Sequence, residues 1–154
     1  YEISLGLVGS EMCIRDRSEM VATRLRKYNL VARCVSVGLR NTSLEWFSRQ
    51  LNLIEPVNNA SDIANAALKL LKENYNFTLP LRTISVYTSN LESATGAFQM
   101  SFFNENEKEK RLEKSIDEIR KKYGYKSVQR AVLLNNDVLN ADLHEEDDFT
   151  PFKR

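Results

Sequence analysis

Two alternating segments joined by a polar turn constrain this chain more than anything else in it. Over residues 31–40, Val31, Val35, Val37 and Leu39 alternate with Cys34, Ser36, Gly38 and Arg40, so apolar side chains fall on one face of a strand and small or basic ones on the other. Asn41-Thr42-Ser43 supplies turn chemistry. Over residues 44–53, Phe47, Leu51 and Leu53 point one way and Trp46, Ser48, Gln50 and Asn52 the other. The pattern predicts a β-hairpin with one apolar face. Two strands alone cannot bury that face, so other elements must cover it.

The flanking segments can provide the cover. Ser18-Glu19 followed by Met20, Val21, Leu25 and Tyr28 predicts a short amphipathic helix ending near Asn29. Glu55-Pro56-Val57-Asn58-Asn59 breaks the second strand, and Ser61-Asp62 caps a helix whose Ile63, Ala67, Leu70 and Leu71 form an apolar stripe. After Pro80, Ile84 and Val86 alternate with Thr83, Ser85 and Tyr87 in a third strand over residues 81–91. The fold class expected is α+β, an antiparallel sheet with two helices on one face. Beyond Gly96, residues 105–123 are strongly helical, with Leu112, Ile116, Ile119 and Tyr123 spaced for one stripe. Residues 128–134 are apolar but short, and residues 135–154 are expected to form an acidic, mobile tail. The length of 154 residues suits one domain with a tail.

Charge is distributed unevenly. The formal net charge is only +1, yet over residues 18–54 Arg24, Arg26, Lys27, Arg33, Arg40 and Arg49 stand against Glu19 and Glu45 alone. The C-terminal run Asp142, Glu145, Glu146, Asp147 and Asp148 offsets this basic front. With two cysteines and one histidine, a zinc site or a disulfide framework is not expected, and a reducing cytoplasm suits the composition. No stretch approaches the ~20 apolar residues of a membrane span. His144 lies in the acidic tail as a solvated residue, and the carboxylates of residues 105–118 read as a charged helix face with Lys and Arg partners. No constellation of nucleophile, base and orienting group is present, so no catalytic residue and no metal ligand is assigned.

Residues 7–16, LVGSEMCIRD, match the translation of a transposase adapter used in sequencing libraries. The adapter's incomplete last codon admits only Ser or Arg next, and Arg17 stands there. Residues 1–17 are therefore set aside as a foreign segment, with a strand over residues 3–8 as its one structural expectation.

The stretch VATRLRKYNLVARCVSVGLRNTSLEWFSRQLNLIEPVNNASDIANAALKLL, then LRTISVYTSNL, FQMSFF and SIDEIRKKYG, resembles the little-finger domain and C-terminal region of UmuC-type and DinB-type Y-family translesion DNA polymerases. The resemblance runs in order over residues 18–134. It implies a β-α-β-β-α-β little finger over residues 18–95 whose first strand is missing or replaced. A clamp-binding peptide and helical region would follow over residues 96–134. It also implies that the catalytic parts of a parent polymerase, with their Mg2+-binding carboxylates, lie outside this chain, which alone would be inactive and without cofactor.

A lesion-bypass grip needs a positive, hydrogen-bonding sheet face that tracks phosphates without reading bases. The candidates are Ser36, Arg40, Trp46, Ser48, Gln50, Arg82, Thr83, Ser85 and Tyr87. Family members contact the duplex backbone at the positions matching Arg40, Arg82, Thr83 and Tyr87. This chain departs from the pattern at Gly38, where relatives often carry Lys, and has no second Arg beside Arg82. Gln99-Met100-Ser101-Phe102-Phe103 resembles the peptide by which bacterial polymerases hold the sliding clamp, with Gln99 at the pocket rim and Met100, Phe102 and Phe103 as apolar anchors. The expected partners are primer-template DNA and the clamp, with the chain a monomer in damage bypass and the SOS response. The rival reading is a self-contained α/β module that binds a protein or small ligand.

Overall fold

The computed structural model describes residues 2–95, 106–129 and 131, except for the side chains of residues 2–8 and 106–107. The clamp-like peptide Gln99, Met100, Ser101, Phe102 and Phe103 and the acidic tail lie outside the described residues. The chain divides into two compact units, Tyr1–Glu113 and Lys114–Arg154.

The first unit runs α1 (Glu2–Lys27), β1 (Leu30–Asn41), β2 (Trp46–Val57), α2 (Ala60–Asn74) and β3 (Leu81–Ser93). The three strands form one antiparallel sheet in the order β2-β1-β3. The expected α+β class and the two helices on one sheet face are what the structure has. No strand precedes α1 among the described residues.

β1 is central because it carries the densest apolar alternation. Its Leu39 lies opposite Phe47 of β2 and Ile84 of β3, and its Val35 lies opposite Leu51 and Thr88. Over this face α2 sets the stripe read from the sequence: Ile63, Ala67 and Leu71 are wholly buried and Leu70 nearly so. α1 adds Ile14, Ala22 and Leu25. Each Ile and Leu among these contributes about 1.5–3 kcal/mol by leaving water. At one edge Tyr75 stacks on Phe47 at 5.5 Å and meets Phe77 edge-on at 5.1 Å. Burial, with Glu45 adding in the same direction, holds the Tyr75 hydroxyl above its ordinary pKa.

Several boundaries differ from the sequence reading. Residues 3–8 are helical rather than extended, and the helix expected over residues 18–29 is one long helix beginning at Glu2. Extending a formed helix adds a hydrogen bond per residue without a new nucleation cost, so the segment continues the turn that follows it. Ile14 within it is fully buried, and Glu11 pairs with Lys72 of α2 at 2.7 Å. Ser18, expected as a cap, is buried inside the helix. α1 instead ends where Asn29 takes a left-handed conformation, φ 53°, which asparagine tolerates better than most residues.

β2 continues through Pro56 rather than breaking at Glu55. Leu53, Ile54, Glu55 and Pro56 stand against the single Arg33 of β1, a wide irregularity on an edge strand where proline is tolerated. Arg33 spans it, donating to the Ile54 carbonyl at 3.2 Å while pairing with Glu92 of β3 at 2.6 Å. The hairpin turn is closed by Asn41, whose Oδ1 accepts from the Glu45 N–H at 3.0 Å and whose Nδ2 donates to the Glu45 carboxylate at 2.7 Å. The cap of α2 is Asn59, two residues before the expected Ser61; its Oδ1 accepts from the Asp62 N–H at 2.9 Å. A carboxylate from further along the chain serves the same end, since Glu113 Oε1 accepts from the Ala60 N–H at 2.7 Å and Oε2 pairs with Arg26 at 2.8 Å.

α3 (Asn106–Tyr123) carries the chain into the second unit. Its stripe stays open: Leu112 is 61%, Ile119 41% and Tyr123 66% exposed. Past the helix, Gly124 takes φ 92°, and Arg120 lies over the Tyr125 ring at 4.3 Å while donating to the Val128 carbonyl at 2.8 Å.

Candidate nucleic-acid interface

The sheet face opposite the helices is a grid set by strand register. In an antiparallel pair, residues directly opposite one another share a face. Trp46, Arg40 and Thr83 therefore form one row, Ser48, Gly38 and Ser85 the next, and Gln50, Ser36 and Tyr87 the third. Eight of the nine residues singled out from the sequence fall in these rows. In a fourth row, Asn52 and Ser89 are exposed on either side of the buried Cys34, and the alternation that marks Gln50 and Tyr87 could have marked Asn52 and Ser89 too.

The ninth candidate, Arg82, is adjacent to Thr83 and by simple alternation would point to the helix side. The register shows why it need not. Arg40 pairs with Thr83 and Asn41 with Leu81, so Arg82 is an extra residue and β3 is bulged there. Bulges locally re-aim side chains, and here Arg82 and Thr83 together oppose Arg40. The bulge thus brings two guanidinium-bearing positions, Arg40 and Arg82, to the same end of the sheet. Neither makes an ion pair or side-chain hydrogen bond with a described residue. Glu45, in the hairpin turn at this end, is engaged by the Asn41 amide.

Gly38 sits at the centre of the grid. A Cβ there would lie 2.7 Å from Trp46 Cζ2 and 3.3 Å from Tyr87 Cε2, so the rings of two neighbouring strands converge over the glycine. Its backbone conformation is ordinary, so close approach rather than left-handed φ favours glycine here. Both aromatic residues remain 51% exposed. Where the resemblance expects a lysine, this chain places two rings in that space. Sequence reading identified both aromatics singly but had no means of joining them to Gly38.

Chemically, this end of the sheet offers the Arg40 and Arg82 guanidinium groups, neither partnered among the described residues, with a set of hydroxyl and amide side chains and two half-open rings on the face. It displays no aliphatic side chain in its first three rows. Among the described residues no group of three or more His, Cys, Asp or Glu could hold a metal ion, and no described helix is long and apolar enough to cross a membrane.

Residues 11–102 match the impB/mucB/samB family C-terminal domain. Among curated proteins, the chain is 31% identical over 126 residues to DNA polymerase IV of Acetivibrio thermocellus, covering 80% of this chain and 32% of that protein. It is 30% identical to DNA polymerase IV of Pelotomaculum thermopropionicum, over 80% of this chain and 31% of the relative. It is 33% identical to that of Clostridium acetobutylicum, over 77% and 30% respectively. The chain therefore spans about a third of the length of these relatives.

Proposed function

The chain belongs to the impB/mucB/samB family through its C-terminal domain, the C-terminal region of the Y-family polymerases; from that premise we propose that its open sheet face grips primer-template DNA through the phosphates. The observation that supports this reading is the bulge at Arg82, which places a second arginine opposite Arg40 at the same end of the sheet, neither of them with a side-chain partner among the described residues. Phosphates are held by such groups without reading sequence, and the hydroxyls of Ser36, Ser48, Thr83 and Ser85 can add neutral hydrogen bonds. This suits an enzyme that must hold damaged templates. Nucleotide transfer, with its divalent metal, belongs to the parent polymerase and to residues outside these 154.

Tethering to the sliding clamp through Gln99, Met100, Ser101, Phe102 and Phe103 completes the proposal. It is supported by the residue pattern and by the peptide's place directly after the sheet domain. Two measurements test the pair. The slope of log affinity against log salt for primer-template DNA should fall by about 2 in Arg40→Ala/Arg82→Ala, since each lost phosphate contact removes about 0.9; an unchanged slope rules out the grip. Phe102→Ala/Phe103→Ala should lose clamp pull-down while keeping DNA affinity, and retained pull-down refutes the tether.

A further inference from the structure

A phosphate grip explains the arginines and hydroxyls of the open face but not its centre. Trp46 and Tyr87 approach Gly38 from opposite strands, close enough that no side chain fits beneath them, and half of each stays open to solvent. Duplex DNA hides the faces of its bases inside the stack. An unpaired base exposes its face, and aromatic side chains in a basic surface are the usual platform for it.

We infer that Trp46, Gly38 and Tyr87 form a stacking platform for an unpaired base of single-stranded DNA, with Arg40 and Arg82 holding the flanking phosphates. This inference rests on the reading of the open face as a DNA surface and adds a preference for single-stranded template to it. Charge complementarity identifies the occupant: the rings are bordered at one end by two guanidinium groups without acidic partners among the described residues. Gln50, Ser48 and Ser85 surround them with hydrogen-bonding groups that can meet base edges. An apolar protein surface would find no aliphatic neighbours in these rows. Gly38 has a specific part, because a side chain at that position would push the Trp46 ring away from its place on the sheet.

The rings also carry polar handles, and the indole N–H or phenol O–H could serve phosphates instead. The test separates the two uses. Trp46 is the sole tryptophan of these 154 residues, so its fluorescence reports the site directly in this chain. Oligo(dT) should quench it strongly, and blunt duplex should not. Trp46→Ala and Tyr87→Ala, both at exposed positions, should each weaken oligo(dT) binding by about tenfold and weaken blunt-duplex binding by clearly less than that. Tyr87→Phe, which keeps the ring and removes the hydroxyl, should bind oligo(dT) as the parent does.

Equal losses on both DNAs, or a Tyr87→Phe loss as large as that of Tyr87→Ala, would overturn stacking and leave the phosphate grip standing. If neither DNA binds at low salt, the grip and the platform fall together. Circular dichroism of each variant shows that the fold is retained.

Discussion

The two faces of the sheet are built from the same three strands, yet adjacent residues have opposite fates. Val35, Val37 and Leu39 lie under α1 and α2 and are buried to within 2%. Ser36 and Arg40, one position away on the opposite face, keep part of their surface open, and Gly38 between them lies under the Trp46 and Tyr87 rings rather than under a helix. On the covered side shape complementarity is everything, because each side chain is held from all directions. On the open side there is room for exchange, and what matters is which groups the register sets in one row. Stability and binding are thus separable in this domain by a shift of a single residue.

The comparison predicts its own largest effect. Leu71→Ala, wholly buried beneath the helix layer, should destabilise the fold by about 2–5 kcal/mol in urea unfolding, whereas Ser48→Ala should stay within about 0.5 kcal/mol. Similar values for the two would dissolve the distinction between the faces. Next comes Ile14→Ala, expected to cost about 2–4 kcal/mol. This variant asks whether the adapter-like stretch belongs to the roof of the covered face, as its full burial requires. A negligible change would show that the fold does not depend on it.

Smaller still is Glu113→Ala, which removes the carboxylate shared by the Ala60 N–H and Arg26. The loss should be about 1–2 kcal/mol, as for other helix caps, and hydrogen exchange should speed up first at the start of α2. Uniform loss of protection would argue against a local role. Gly38→Ala should change stability least, by less than about 1 kcal/mol, because the contact it forces is with the outer edge of an exposed indole that can swing into solvent. Its signature is instead a shift in Trp46 fluorescence. An unfolding cost comparable to that of Leu71→Ala would mean that the open face is packed as tightly as the covered one.

Much of this was legible in the chain itself. The hairpin followed from alternation, and the α2 stripe followed from 3.6-residue spacing, since both patterns report directly on which side of an element meets water. Elements whose limits depend on neighbours were read less well. The length of α1 depends on propagation and on the burial of Ile14 against the core, and the course of β2 past Pro56 depends on Arg33 bridging its irregular stretch. The spacing of Leu112, Ile116, Ile119 and Tyr123 marks one apolar stripe on α3, yet Leu112, Ile119 and Tyr123 are exposed and only Ile116 is half-buried. Periodicity states that a face is apolar, not that something lies over it.

By itself, then, the sequence determined the kind of fold, the apolar face of each strand and the candidate residues of the other face, because local alternation and periodicity are properties of consecutive residues. Only the tertiary structure decided that Arg82 joins Arg40 and that Trp46 and Tyr87 meet over Gly38. Those juxtapositions depend on cross-strand register and on one extra residue in β3, and the register of β3 on β1 is set by pairing between residues forty or more positions apart.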